Sequence, residues 1–338
     1  MTRRVAVTGA TGFIGRHLIE HLAAHGDDVR AIQRSPVVVR ETQPVNGRPD
    51  SPVPLPAAAP RPVTVVQAPL EVAALTEAFR TVDVVVHLAG VVSTTRRADF
   101  FDVNVEGTRA VAQAARAAGA RLVHVSSLAA AGPAPPTAPR SEDDPPAPIT
   151  PYGESKLESE RVVASTHDLT WTILRPAIVY GPGDRSLLPF FTSARLGVMP
   201  LVGRASAAYS MVHVRDLVRA IEAAVGSGSS GDTLFVAHPE PASARVIIEQ
   251  VRLAVGRRAL VVPVPDLLLW MAALAGEVGG AIRGRPLTIN RRRYAELVSE
   301  GFVCNVDRLR ERLGVVANMG LREGLAQTAA WYTRERWL

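Results

Sequence analysis

A β-branched run at residues 4–8 leads directly into Thr8-Gly9-Ala10-Thr11-Gly12-Phe13-Ile14-Gly15 and then into an amphipathic helical pattern over 15–24. Strand, glycines and helix in that order form an anion site. Gly9 permits the sharp turn, Gly12 lets a pyrophosphate reach backbone N–H groups at the helix N-terminus, and Gly15 lets the helix pack close to the sheet. The spacing is G-x-x-G-x-x-G rather than G-x-G-x-x-G. Short apolar runs at 29–33, 63–67, 82–88, 122–126 and 171–175 then alternate with helical patterns such as 71–80 and 103–118. Alternation of this kind predicts an α/β fold with a Rossmann-type, doubly wound parallel sheet. The strands are apolar on both faces, as in Val84-Val85-Val86, which fits a sheet covered by helices on both sides.

Proline marks where the alternation stops. Eight of the 26 prolines fall in 36–62 and eight more in 133–151, so both segments are expected to be loops, the first poorly ordered. The organisation expected is a dinucleotide-binding domain over 1–178 that also receives 205–238. A smaller, mostly C-terminal substrate-binding lobe takes 179–204 and 239–338. The longest apolar stretch, 261–282, is interrupted by Pro263, Pro265, Asp266 and Glu277. It predicts a buried or substrate-lining helix and no stable membrane span. Cys304 is the only cysteine, which excludes an intrachain disulfide and a cysteine zinc site and suits a reducing, cytoplasmic compartment. Nothing at the N-terminus reads as a signal peptide. No metal is expected, and His87 and His124, which have no acidic or cysteine partner at ligand spacing, read as core histidines.

Of 38 basic residues 37 are arginine, and the net charge is +6. The arginines are spread along the chain, and the one tight run, Arg291-Arg292-Arg293, has no interleaved aromatics. That distribution argues against a nucleic-acid partner and suits an anionic cofactor. At the end of the second strand, where a carboxylate would hold the ribose hydroxyls of NAD(H), stand Gln33-Arg34-Ser35. Arg34, with Arg40, offers fork donors to a 2′-phosphate, so NADP(H) is the preferred cofactor and NAD(H) the alternative.

The single lysine, Lys156, lies four residues after Tyr152, on the same face of a helix. An ammonium beside a phenol favours its ionised form and brings its pKa toward the working range. The same ammonium can bond ribose hydroxyls. The strand before the second proline loop ends in Ser126-Ser127, and a strand-end hydroxyl can polarise a carbonyl beside the phenol.

Together with HLAG at 87–90, NVEGT at 104–108, VSSLAAAG at 125–132, RPAIVYGPGD at 175–184 and VHVRDLVRA at 212–220, these motifs make the chain resemble the extended short-chain dehydrogenases/reductases. That group holds the nucleotide-sugar epimerases, dihydroflavonol reductases and 3β-hydroxysteroid dehydrogenases. The resemblance implies Ser127 as the catalytic serine, with Ser126 as the substitute, Tyr152 as acid/base, and Lys156 supporting both phenol and ribose. It also implies a cofactor held by Gly9, Thr11, Gly12, Phe13, Ile14 and Gly15, then passing Leu88, Ala89 and Gly90. The backbone from Pro176 to Ile178 would contact the nicotinamide, and Asn104 would order the active-site backbone. A homodimer through the helices at 103–118 and 152–165 is implied as well.

The chain departs from the family in two places. The acidic adenine ligand after the third strand is replaced by Gln67-Ala68-Pro69-Leu70, and Tyr209 takes the position of an arginine that bonds a sugar diphosphate. Arg185, Arg204 or Arg283 could compensate for that arginine. The expected substrate side is mostly apolar, with Val91, Ala129, Tyr152, Tyr180, Leu187 and Tyr209 as its residues. This favours an NADP(H)-dependent interconversion of ketone and secondary alcohol on a hydrophobic small molecule. The alternatives are a nucleotide-sugar epimerase or dehydratase with retained cofactor, and a non-catalytic dinucleotide sensor. His213 and Asp216 are expected to brace a helix start, and Glu142, Asp143 and Asp144 to form a solvated loop.

Overall fold

A computed structural model describes residues 2–34, 63–283 and 291–338. The proline segment 36–62, Arg40 within it, lies outside the described residues. The first half of the chain is built from β1 (Arg4–Thr8), α1 (Phe13–Ala24), β2 (Asp28–Gln33), β3 (Thr64–Gln67), α2 (Val72–Ala78) and β4 (Val84–His87). Next come α3 (Arg97–Phe101), α4 (Gly107–Ala117), β5 (Arg121–Val125), α5 (Pro151–Ala164) and β6 (Trp171–Pro176). The second half holds β7 (Ile178–Tyr180), α6 (Leu188–Arg195), β8 (Val198–Leu201), β9 (Ala208–Tyr209), β10 (Met211–His213), α7 (Val214–Gly226), β11 (Asp232–Val236) and β12 (Ala242–Ser243). It ends with α8 (Ala244–Val255), β13 (Leu260–Pro263), α9 (Asp266–Arg283), α10 (Arg291–Leu297), β14 (Gly301–Phe302), α11 (Asp307–Leu313) and α12 (Leu321–Arg334).

Seven strands form one sheet in the order β11-β6-β5-β4-β1-β2-β3, every pair parallel. Strand order reverses at β1, so the crevice at its carboxyl end is open to a ligand. Alternate residues of each strand enter opposite cores. Val5 and Val7 pack with Leu18, Ile19 and Leu22 of α1 and with Leu217 and Ile221 of α7. Ala6 and Val85 face Leu75, Val111 and Ala115 on the other side. This is the doubly wound sheet that apolar runs without alternation predict.

Three sequence expectations need correction. The helix expected over 103–118 starts earlier, at Arg97, and is interrupted by a π turn over Asp102–Glu106. The acidic loop is not all solvated: the Glu142 carboxylate is buried, accepts the Phe235 N–H (2.9 Å) on edge strand β11, and is pushed up in pKa by burial. An edge strand leaves N–H groups unpaired, and here a side chain takes one. The apolar stretch folds as α9, but among its described large or methyl-bearing side chains only Leu269 and Ala273 are buried, and the opposite face is open.

Candidate active site

The glycine loop is tight for a steric reason. Gly9 has φ +71°, and a Cβ there would stand 2.7 Å from the Ala89 nitrogen; at Gly15 a Cβ would stand 2.3 Å from the Gly9 oxygen. Gly12 caps α1 without a side-chain hydrogen bond, and the first helical turn has no acidic residue. The N-terminal N–H groups and the positive helix end therefore face the open crevice at Thr11 and Gly12, both exposed. Such a helix N-terminus is the kind of place where an anion binds.

The other expected cofactor positions gather at the same carboxyl edge. Leu88 N–H bonds Thr8 O (3.2 Å), and Ala89 N–H reaches Thr8 Oγ1 (3.4 Å), so Leu88, Ala89 and Gly90 run beside the glycine loop. Pro176 closes β6, and Ile178 is exposed just beyond it. Phe13 and Ile14 are half-buried against the first core. Arg34 is exposed at the end of β2. Next to it, Gln33 is buried, with neither amide atom hydrogen-bonded among the described residues. Ala68, on the neighbouring strand end, donates its N–H to Gln33 O (2.9 Å).

Tyr152 and Lys156 lie on the first two turns of α5, which opens with Pro151 at its first position and Thr150 as cap, its hydroxyl accepting from Gly153 N–H (3.2 Å). A Cβ on Gly153 would stand 2.4 Å from the Ala129 oxygen. The turn carrying Tyr152 thus packs backbone to backbone on the turn that follows Ser127. Lys156 is 5% exposed and donates to Val125 O (2.9 Å), at the end of β5 two residues before Ser127. Burial lowers its pKa to about 8, against a smaller raising effect of Glu160. The Tyr152 ring stands 6.1 Å from that of Phe100.

The two serines face different surroundings. Ser126 is buried and donates to the Glu160 carboxylate, while Ser127 is partly exposed and its Oγ accepts the Ala129 N–H (3.2 Å). Glu160 was missed in the sequence. It also binds Arg175 through two hydrogen bonds, Nε to Oε1 (3.0 Å) and Nη2 to Oε2 (2.6 Å), both residues buried. The available signal was its spacing, four residues after Lys156 on the same helix face.

Asn104 sits in the π turn, where such turns often mark functional positions. Its Oδ1 accepts Val91 N–H (2.8 Å), and its Nδ2 donates to Val91 O (3.0 Å) and Ser155 Oγ (2.9 Å). Ser155 in turn donates to Tyr152 O (2.8 Å). One amide therefore ties the loop after β4 to the turn bearing Tyr152. Val91 and Ala129 are partly buried beside these groups, and Tyr209 is half-buried against the cluster that includes Leu128 and Ala177. Tyr180 and Leu187 are not brought to this cleft. Both are buried in a cluster with Phe191, Leu325 and Tyr332, Tyr180 edge-on to His213 at 5.4 Å.

His87 and His124 stack at 5.4 Å beneath the site. Thr108 donates its hydroxyl to Asn104 O (2.6 Å), so its oxygen must accept from His87 Nε2, leaving Nδ1 to accept from Thr8. The ring is neutral. Burial, with Lys156 nearby, pushes His87 down to about 3 and His124 well below its usual value; His213, which caps α7, goes to about 4. Each ring stays neutral in the fold and charges in the unfolded chain below its ordinary value, about 6.5. Stability is therefore full above that value and is lost as pH falls through it, by about 1.4 kcal/mol per pH unit per ring. Glu142 and Asp184, both pushed up by burial, act with the opposite sign in the carboxylate range. Urea midpoints measured from neutral pH downward should fall steeply below about pH 6.5, and less steeply in His124→Gln. A flat profile to about pH 5 would reject neutral buried rings.

The NAD dependent epimerase/dehydratase family matches residues 5–237. Over its whole length the chain is similar to "Ceramide reductase" of Caulobacter vibrioides, 30% identical with 99% of this chain and 96% of that protein covered. It is also 27% identical to "4-hydroxy-2-methyl-3-oxo-4-farnesyl-3,4-dihydroquinoline-1-oxide ketoreductase" of Stigmatella aurantiaca, with 95% and 94% covered. Among solved structures, "MoeE5 in complex with UDP-glucuronic acid and NAD" superposes with a TM-score of 0.75 at 25% identity, covering 98% of this chain and 99% of that one. With a glycine cradle at the strand-order reversal and a Tyr-x-x-x-Lys helix packed on the serine turn, the chain belongs to the NAD dependent epimerase/dehydratase family and is an NAD(P)-dependent oxidoreductase of the extended short-chain type.

Proposed function

We propose that this protein is an NADP(H)-dependent reductase that interconverts a ketone and a secondary alcohol on a hydrophobic, lipid-like small molecule. The observation that carries this reading is the packing of Gly153 on Ala129, which sets the Tyr152 turn against the Ser127 turn with Lys156 bonded to the end of the same strand. When bound, the dinucleotide supplies or accepts a hydride at its nicotinamide ring. In the reducing direction Tyr152 gives its phenolic proton to the carbonyl oxygen as the hydride reaches the carbon, and in the oxidising direction it takes that proton back. Ser127 donates a hydrogen bond to the same oxygen. Ser126 is committed to Glu160, which supports Ser127 in this role.

Gly9, Gly12 and Gly15 hold the pyrophosphate, Leu88 to Gly90 line its path, and Lys156 bonds the nicotinamide ribose. The buried, unbonded amide of Gln33 stands in for the missing adenine carboxylate, and the exposed Arg34 takes the 2′-phosphate. The apolar substrate is supported by the names of the reductase relatives and by the state of the alternative diphosphate ligands. Arg204 is paired with Glu300 (2.9 Å), and Arg185 lies over the Trp337 ring at 5.3 Å. The Arg283 side chain lies outside the described residues. Two chains would pair through α4 and α5, in the cytoplasm.

NADPH oxidation with long-chain keto-amides, sterol ketones and prenylated quinolones, against UDP- and dTDP-sugars, tests the substrate class. Turnover is expected on the lipid-like ketones, and turnover on the sugar nucleotides alone would overturn it. NADPH should bind at least tenfold more tightly than NADH, with the gap closing in Arg34→Ala, since a charge-assisted bond contributes about 1.5–3 kcal/mol. Equal affinities in the unaltered protein would reject the NADP(H) preference.

A further inference from the structure

Helix α9 carries apolar residues on two opposite faces, with Asp266 and Glu277 on the flank between them, and among the described side chains only one of the two faces is covered. At about 100° per residue, Leu269, Ala273, Gly276 and Gly280 share the buried side. Leu267, Trp270, Met271 and Leu274 share the opposite side, with Leu268 at its margin, and all five are exposed, Leu267 at 68% and Met271 at 53%. An uncovered apolar patch of this kind marks an interaction surface.

The patch continues along the chain through Val264-Pro265 into a two-stranded ribbon. β13 pairs in parallel with β8, Leu260 opposite Val198 and Val262 opposite Pro200. Alternation sends Met199 into the lobe's core and leaves Val198, Leu260 and Val262 outside, with Leu196 (79% exposed) beside them. The charges at the ribbon are all of one sign. Arg195, Arg257 and Arg258 are exposed at its end, Arg257 bonding Arg195 O (3.3 Å), and no acidic residue occurs in 195–201 or 253–265; of the two acidic residues of α9, Asp266 accepts from Tyr294 and Glu277 lies off the open face. A second copy of this chain would bring the same cations face to face, whereas an anionic lipid surface complements them.

We infer that α9 and the β8–β13 ribbon dock on the surface of an anionic phospholipid bilayer, α9 lying in the interface plane with its open face among the acyl chains and the arginines at the headgroups. No helix among the described residues is long and apolar enough to cross a membrane, and the other face of α9 is occupied by protein, so the helix lies on the bilayer rather than through it. The dock adjoins the site. The Tyr294 hydroxyl of α10 donates to Asp266 at the start of α9 (3.0 Å), and Glu296 accepts from Thr150 (3.5 Å), which caps the helix carrying Tyr152. A lipid-like ketone would then pass from the bilayer to the cleft without crossing water. This deepens the function proposed above and rests on it for the substrate, whereas docking itself is measured without turnover.

Vesicle flotation of the full chain tests it, with phosphatidylcholine alone and mixed with phosphatidylglycerol. Binding to the anionic vesicles is expected to be about a hundredfold tighter, from three arginines at the surface, and to weaken with salt. Leu267→Ser with Trp270→Ser, and separately Arg257→Glu with Arg258→Glu, should each reduce it at least tenfold while NADPH affinity and melting temperature hold. All of these side chains are exposed, and if one variant fails to fold the other still decides. Absence of wild-type flotation with anionic vesicles, or wild-type flotation by a folded variant, would overturn the inference. So would light scattering that shows the serine variant converting a dimer to monomer without any vesicle binding in the parent. Turnover of a detergent-dispersed ketone without flotation would reject docking alone, and flotation without turnover would reject the reductase reading alone.

Discussion

Tyr152→Phe is expected to lose 10²–10⁴-fold in kcat, the usual range for removal of a general acid, while NADPH affinity stays within about twofold. The ring keeps its place beside Phe100, and α5 keeps its cap and its packing on Ala129, because none of these contacts uses the phenolic oxygen. What the substitution removes is the phenolic oxygen, and with it the proton donor. Single-turnover NADPH oxidation on a substrate identified in the panel, with cofactor affinity from fluorescence titration, separates the two quantities. Turnover surviving at more than about a tenth of the original would remove Tyr152 from the mechanism. Lys156→Arg belongs beside it. A planar guanidinium does not fit where a buried ammonium meets Val125 O, so the variant should lose most activity, and a fully active one would reduce the lone lysine to coincidence.

Glu160→Ala should be the most destabilising single change near the site, by about 3–5 kcal/mol. Arg175 is buried, with its guanidinium over the Phe235 ring at 5.6 Å and its two carboxylate bonds to Glu160. Removing the carboxylate takes both hydrogen bonds from that cation in a low-dielectric interior and frees the Ser126 hydroxyl. Replacing both members, Glu160→Leu with Arg175→Met, should recover most of the loss, because an apolar pair needs no partner. Denaturant unfolding of the two variants checks it. A Glu160→Ala loss below about 1 kcal/mol, or a double variant no better than the single, would show that the pair is not what holds β6 to α5.

The parallel sheet and the glycine cradle were legible in the sequence because both are local. A β-branched run, a glycine at each third position and a helical period occupy consecutive residues, and the sterics that select glycine act between atoms close in the chain, as at Gly15 against the Gly9 oxygen. Tyr152 and Lys156 were legible for the same reason, being one helical turn apart. Tyr180 and Leu187 were expected on the substrate side, but their surroundings are set by α12, far along the chain, together with the adjacent α6. The π turn was invisible because 97–118 has an unbroken helical pattern, and the extra residue in the turn is held by Asn104 bonding Val91 and Ser155 across the fold.

By itself, then, the sequence determined the fold class, the glycine turn between β1 and α1, and the placing of Tyr152 and Lys156 one turn apart on a helix, since each follows from backbone geometry within about ten residues. Tertiary structure alone decided which of two adjacent serines is committed to a carboxylate. Neighbouring residues at a strand end point to opposite sides, and only the packing of α5 brings Glu160 to Ser126 and leaves Ser127 partly open. It also decided that the most apolar stretch is half uncovered. Hydropathy records how apolar a residue is, but not whether any other part of the chain reaches it, and nothing among the described residues covers Leu267 or Met271.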